Sequence, residues 1–290
     1  AGDGGGQRYA FYRPALNLGA NDRFKLESAL RRAVDRNELE LHYQPQVDIA
    51  SGRIVGAEAL LRWRHPERGL VPPGVFIGLA EETGLILPIG DWVLSAAGAQ
   101  LRQWRDAGLP LVPVSVNLSA HQFNDEIVAT VGRVLDECGI EPQLLELELT
   151  ESASMADADK SVALLAQLKG MGVRLAIDDF GTGFSNLNYL KRFPVDKLKL
   201  DQSFIADLLD STDDQAISRA VIAMAQGLRL TVVAEGVETA GQLALLASQG
   251  CDQMQGYYFS KPVPAADFGR MLRDEVALDL SPIKSLCTQS

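Results

Sequence analysis

The chain has 290 residues, is 47% hydrophobic and carries a formal net charge of −11. That length suits one packed α/β core, and the acidic balance argues against a long nucleic-acid partner, which is normally met by Lys and Arg. No apolar run reaches the roughly 20 residues that span a bilayer, no signal-peptide pattern opens the chain, and the scattered Cys138, Cys251 and Cys287 support neither a zinc knuckle nor a disulfide framework, so a reducing cytoplasm is the natural setting.

Residues 1–21 open on Ala1-Gly2-Asp3-Gly4-Gly5-Gly6 and read as a linker or remnant. Residues 23–36 place Phe24, Leu26, Leu30 and Val34 at helical spacing. Residues 38–44 alternate like a strand ended by Pro45, and residues 54–61 form a second strand after the Ser51-Gly52 turn. Helices are expected at 73–86 and 92–107. From there strands at 112–116, 144–149, 173–177, 197–200, 230–234 and 253–255 alternate with helices within 126–138, 159–170, 184–192, 203–209, 214–227, 240–248 and 265–276. This rhythm signals a parallel sheet covered by helices. Eight strand candidates are the barrel number, so the expected fold is α/β, a TIM-like (β/α)8 barrel over residues 22–278, with room for an irregular first strand and a tail at 279–290. An open doubly wound sheet would carry a Gly-rich phosphate loop after its first strand, and none is present.

Barrels of this kind take catalytic groups from the C-terminal ends of several strands. Here those ends carry Gln44, then Glu58 and Arg62, Asn117, Glu148 with Glu151, Asp178-Asp179, Lys199 with Asp201, Glu235 with Glu238, and Gln255. Singly, each has an ordinary explanation: Asp178-Asp179-Phe180-Gly181 as a turn, Lys199 as an ion-pair partner, Glu235 as a turn residue. On consecutive strand ends they point together to an active site. Oxygen donors without Cys or clustered His suit hard cations such as Mg²⁺ or Mn²⁺, and His42, His65 and His121 lack the spacing of a helical zinc pair. A phosphate-bearing substrate beside such carboxylates needs cations between. Adjacent Asp residues face opposite ways on a regular strand, so both serve one site only if they leave the strand end.

These residues resemble the EAL-domain phosphodiesterases, which act on the bacterial second messenger cyclic di-GMP. The likeness starts at Glu58-Ala59-Leu60-Leu61-Arg62 within GAEALLRW. It continues through YQPQ at 43–46, FIGLAEETGLI at 76–86, VNLS at 116–119, ELTE at 148–151, DDFGTGFSNL at 178–187, KLD at 199–201, AEGVET at 234–239 and QGYYFSKP at 255–262, so that it covers about residues 22–275. Residues 7–21 resemble the junction after a GGDEF (diguanylate cyclase) domain, which implies an upstream GGDEF or regulatory domain in a longer protein. Membrane anchoring through segments outside this chain is left open.

The resemblance implies two divalent cations. Glu58, Asn117, Glu148 and Asp178 would bind the first, Asp178 would bridge, and Asp179 would help hold the second. Asp179, Lys199 and Glu235 would form the catalytic set around the attacking water, with the general base unassigned between Lys199 and Glu235. Gln44, Leu60, Arg62, Glu238 and Gln255 would bind substrate, and Glu151 would brace the loop at 180–187, which is coupled to homodimer contacts. In-line attack would yield the linear 5′-phosphorylated dinucleotide pGpG. Gly78, Phe184 and Asn186 depart from the common family residues without removing a metal ligand. The alternative is a catalytically silent cyclic di-GMP receptor, but such relatives typically lose residues that this chain keeps.

Overall fold

The computed structural model describes residues 19–155, 157–182 and 187–281. The linker at 1–18, Phe184, Asn186 and the last nine residues, including Cys287, lie outside the described residues. In chain order the elements are α1 (Ala20–Leu30), β1 (Leu39–Asp48), β2 (Ile54–His65), β3 (Gly69–Val71), α2 (Pro73–Glu82), α3 (Ile86–Asp106), β4 (Val114–Leu118), α4 (Glu126–Cys138), β5 (Leu145–Thr150), α5 (Glu151–Met155), α6 (Ala158–Gly170), β6 (Arg174–Phe180), α7 (Leu187–Leu190), β7 (Lys197–Leu200), α8 (Ser203–Ala206), α9 (Thr212–Gly227), β8 (Thr231–Ala234), α10 (Ala240–Ser248), β9 (Gln253–Met254), β10 (Val263–Pro264) and α11 (Ala265–Arg273). They fall into two compact units, residues 1–40 with 62–86, and residues 41–61 with 87–290.

In the smaller unit the end of β2 pairs with β3 in antiparallel register, Trp63 opposite Val71. Trp63 is fully buried. Its ring meets Phe76 edge-on with centroids 5.5 Å apart, and its Nε1 donates to Glu38 at 3.1 Å. The indole thus buries a large apolar surface while its one donor stays paired. His65 accepts the backbone N–H groups of Glu67 and Arg68 at Nδ1, which makes it a turn cap.

The larger unit is the barrel. Strands β2, β4, β5, β6, β7, β8 and β9 run parallel, and β1 closes the ring between β9 and β2. β1 is the irregular one. It is antiparallel to β9, with Val47 opposite Met254, and turns back into β2 through a tight loop in which the Asp48 N–H donates to the Arg53 carbonyl. The strand also passes through Pro45 to Asp48 instead of stopping at Gln44. Gln44 therefore lies mid-strand, and its presence at the rim follows from reversed direction, not from a C-terminal strand end. Tyr43 anchors β1 from behind, with its ring 4.9 Å from Trp104 of α3 and 6.0 Å from Phe268 of α11.

The helices follow their apolar spacing. α4 buries Ile127, Val131, Val134 and Leu135 on one face and stops at Gly139, whose φ of 59° is left-handed. α10 begins with a capping box between Thr239 and Gln242. Expected helices at 23–36, 203–209 and 265–276 are shorter, ending at Leu30, Ala206 and Arg273. No helix among the described residues is long and apolar enough to cross a membrane.

Candidate active site

Strand periodicity sets the site. Every second residue of a barrel strand points inward. β4 brings Ser115 and Asn117 to register with Glu146 and Glu148 of β5, while β7 supplies Lys197 and Lys199. These residues sort into two polar layers.

In the inner layer Lys197 Nζ donates to Glu146 Oε1 at 2.7 Å and to Gln46 Oε1 at 2.8 Å, and the Ser115 hydroxyl donates to the same Glu146 oxygen at 2.7 Å. The outer layer lies at the rim. There Lys199, with no exposed surface, places Nζ 2.6 Å from Glu148, 2.6 Å from Glu235, 3.2 Å from Asp178 and 3.4 Å from Glu58. Gln255 donates to Glu58 Oε2 at 2.5 Å and to Gln44 at 3.2 Å. Asn117 donates to Glu58 Oε1 at 2.6 Å.

One ammonium thus faces four carboxylates, a formal excess of three negative charges in a mostly buried layer. Burying unpaired charge is costly unless something compensates. Glu148 Oε1 is buried with no protein partner. A donor set of carboxylates and one carboxamide oxygen, with a spare buried lone pair, fits a hard divalent cation. Asp178, Asp179 and Glu235 each offer an oxygen within 4.8 Å of the others, a group able to hold a metal ion.

A bulge brings the paired aspartates together. β6 pairs Ile177 with Leu198 but then Phe180 with Leu200, so β6 carries one extra residue. Asp179 takes up the slack with a φ of 54°, a left-handed conformation that Asp tolerates better than most residues. Strict alternation is broken, and both carboxylates reach the same side. The strand therefore continues through the Asp pair to Phe180, where the sequence suggests an exit after Ile177.

The electrostatics follow from burial and crowding. Burial, then the charges of Asp178 and Glu58, push the Glu235 carboxyl up to about 8 against the pull of Lys199. Burial and the neighbouring Asp178 and Asp201 push Asp179 up to about 6. Burial, with Glu58, Asp178 and Glu146 nearby, also holds Glu148 well above the usual carboxylate range. At Glu58 burial is outweighed by Lys199 and by the amides of Gln255 and Asn117, so its carboxyl lies below the usual value. Burial alone would lower Lys199, but the surrounding carboxylates hold it well above an ordinary lysine.

A cleft of about 690 Å³ opens over this layer, lined by Gln44, Glu58, Leu60, Asp178, Glu235, Glu238 and Gln255. Of the residues singled out in the sequence, Arg62 belongs to the smaller unit. Glu151, at the start of α5, accepts the Gly181 N–H at 3.1 Å. Gln202 and Tyr257 also line the cleft and were not singled out, nor was the inner layer of Gln46, Ser115, Glu146 and Lys197. The signal for Lys197 was available, because it shares the parity of Lys199 on one strand. At the cleft floor Gly256 packs so closely on the Val237 backbone that no Cβ fits there.

The family model described as EAL domain matches residues 27–262. The bifunctional diguanylate cyclase/cyclic di-GMP phosphodiesterase MucR of Pseudomonas aeruginosa is 47% identical over 266 residues, 91% of this chain and 39% of its own length. The cyclic di-GMP phosphodiesterase PdeR of Escherichia coli is 41% identical over 271 residues, 93% of this chain and 41% of its own. A solved structure of the PaMucR phosphodiesterase in complex with c-di-GMP matches with a TM-score of 0.82 at 48% identity, covering 84% of this chain and 99% of that one. The chain thus spans about two fifths of the length of these curated relatives. With the matched span, the barrel and the rim cluster in agreement, the chain belongs to the EAL domain family.

Proposed function

We propose that this chain is a metal-dependent phosphodiesterase that hydrolyses cyclic di-GMP to linear pGpG. The observation that carries the reading is the rim layer, where a single ammonium is set among four carboxylates beneath an open cleft. The activity named for MucR and PdeR supplies the substrate.

Glu58, Asn117, Glu148 and Asp178 would hold one divalent cation, Mg²⁺ or Mn²⁺, and Asp178 and Asp179 would help hold a second. When bound, such a pair supplies Lewis acidity toward both the attacking and the leaving oxygen of a phosphodiester. The remaining work falls to side chains. Glu235 faces the cleft and accepts the proton of the attacking water. Lys199 is sealed beneath, is absent from the cleft lining, and remains an ammonium held by carboxylates. Its task is to orient Glu148 and Glu235 and to offset charge on the transferring phosphoryl. Gln44, Leu60, Glu238 and Gln255 line the substrate cleft. Arg62, in the other unit, is assigned to substrate by its motif alone. Glu151 braces the chain at Gly181.

The resemblance of residues 7–21 supports an upstream GGDEF or other regulatory domain, and the family supports a homodimer acting in the cytoplasm. The test of the central claim is direct. The purified chain is incubated with cyclic di-GMP and Mg²⁺ or Mn²⁺, and nucleotides are separated by chromatography. Accumulating pGpG is expected. Tight binding without linear product overturns the enzyme reading and supports a receptor.

A further inference from the structure

We propose that Lys197 is a positioning residue for Glu58, acting through the amides of Gln46 and Gln255. The proposal rests on reading Glu58 as a metal ligand. All four links are buried, with Lys197 5%, Gln46 0%, Gln255 4% and Glu58 5% exposed. An amide side chain can present either its N–H or its carbonyl to a neighbour, and rotation exchanges the two. Lys197 is a donor only, so the atom of Gln46 that faces it at 2.8 Å must be the carbonyl oxygen. That choice turns the Gln46 Nε2 toward Gln255, whose Oε1 accepts it at 3.1 Å. Gln255 is then obliged to present Nε2 to Glu58 Oε2 at 2.5 Å and to Gln44 Oε1 at 3.2 Å. Glu146, held by Ser115, keeps the ammonium in place from the other side.

The polarity of this chain of hydrogen bonds is anchored at both ends, by the donor-only Lys197 and by the acceptor-only Glu58 carboxylate. Without a donor at position 197, the buried Gln46 carbonyl loses its partner, and Gln46 is no longer held where its Nε2 supports Gln255. Gln255 then keeps its contacts to Glu58 and Gln44 but loses the donor that fixes its Oε1 from behind. Its amide is free to turn, and Glu58 loses the support that holds it facing Asn117 and Lys199. Groups behind a metal ligand that fix its orientation typically change metal affinity 10–100-fold.

Two variants of the full chain test this. Gln46→Met keeps the volume and removes both hydrogen-bonding ends. Lys197→Met with Glu146→Met removes the donor together with its counter-charge, so no lone charge stays buried. Mg²⁺ is titrated while thermal unfolding is followed, and the concentration giving half of the maximal stabilisation is read. That concentration should rise about tenfold or more in each variant, whatever the melting temperature in EDTA. A rise under about threefold in whichever variant folds, with the wild type responding normally, overturns the relay and leaves these residues as core packing. Absence of any Mg²⁺ response in the wild type instead overturns the metal reading of the rim, and the proposal falls with it.

Discussion

Two lysines sit two residues apart on β7, both buried, both bonded to carboxylates, yet their surroundings differ in one respect. Lys197 has one carboxylate partner, Glu146, and its layer is formally neutral. Lys199 has four. The same step recurs across the barrel on the paired strands β4 and β5, from Ser115 to Asn117 and from Glu146 to Glu148. Moving outward by one period converts a self-compensated layer into one with carboxylates in excess, a group able to hold a cation. Burial of a lysine says little by itself; the local charge balance separates a structural polar layer from a site.

The comparison breaks most clearly if the two lysines respond alike. Removing one partner from a buried ionic cluster costs about 3–5 kcal/mol. Lys199→Met and Lys197→Met should each lose that order of stability in EDTA by denaturant unfolding. Added Mg²⁺ should recover part of the loss for Lys199→Met only, because a cation can stand in for an ammonium at the rim and cannot enter the inner layer. Equal recovery in both would mean that the layers are not electrostatically distinct. Next in size, Glu58→Ala should lower turnover of cyclic di-GMP by about 10²–10³-fold, the range found when one group stabilising transition-state charge is lost. A wild-type rate at saturating Mg²⁺ would remove Glu58 from the ligand set.

The rim also predicts a pH dependence in the metal-free protein. Glu235 lies near 8 and Asp179 near 6 in the fold, both above their unfolded values. A carboxyl raised by folding favours the folded state below its unfolded pKa, and that contribution is lost as pH rises through the folded one. In EDTA the melting temperature should therefore fall between about pH 5 and pH 8. With Mg²⁺ present, the carboxylate form is the one held, and the fall should shrink. A metal-free melting temperature that rises steadily over that interval would contradict the crowding described at the rim.

Much of the rim was legible in the sequence because its carboxylates follow short apolar runs at strand ends. Glu148, Asp178, Lys199 and Glu235 all stand there, and the barrel explains why they converge. The inner layer was hidden by the same periodicity. Alternating polar residues in LELELT ordinarily mark a solvated face, yet five of the six residues of β5 are buried and only Thr150 is partly open. The compensation for Glu146 comes from Lys197, 51 residues away, and from Gln46 beyond it, which no local pattern can reveal. Strand direction was equally hidden, since alternation reads the same both ways, and Pro45 looked like a stop where β1 in fact continues. The bulge at Asp179 had a partial signal in two adjacent acids, which a regular strand would send to opposite faces.

The smallest expected effect is also the cleanest contrast. Ser115 and Asn117 occupy successive inward positions of β4, and each donates one hydrogen bond to a glutamate, at 2.7 Å and 2.6 Å respectively. The two are alike in length, but Ser115 is buried and Asn117 is exposed; hydrogen bonds to charged groups contribute about 1.5–3 kcal/mol, with the exposed one at the lower end. Ser115→Ala leaves Glu146 still paired with Lys197, so its cost should sit near the low end, about 1.5 kcal/mol, with turnover within about threefold of wild type. Asn117→Ala should cost no more stability than that but, on the proposed ligand set, lower turnover by about 10–100-fold, because its carboxamide also holds Glu58 in place. Parallel unfolding curves and steady-state rates on the two variants decide the matter. Equal activity losses at equal stability losses would show that the rim residue acts only through the fold, and the distinction between the two layers would then reduce to depth.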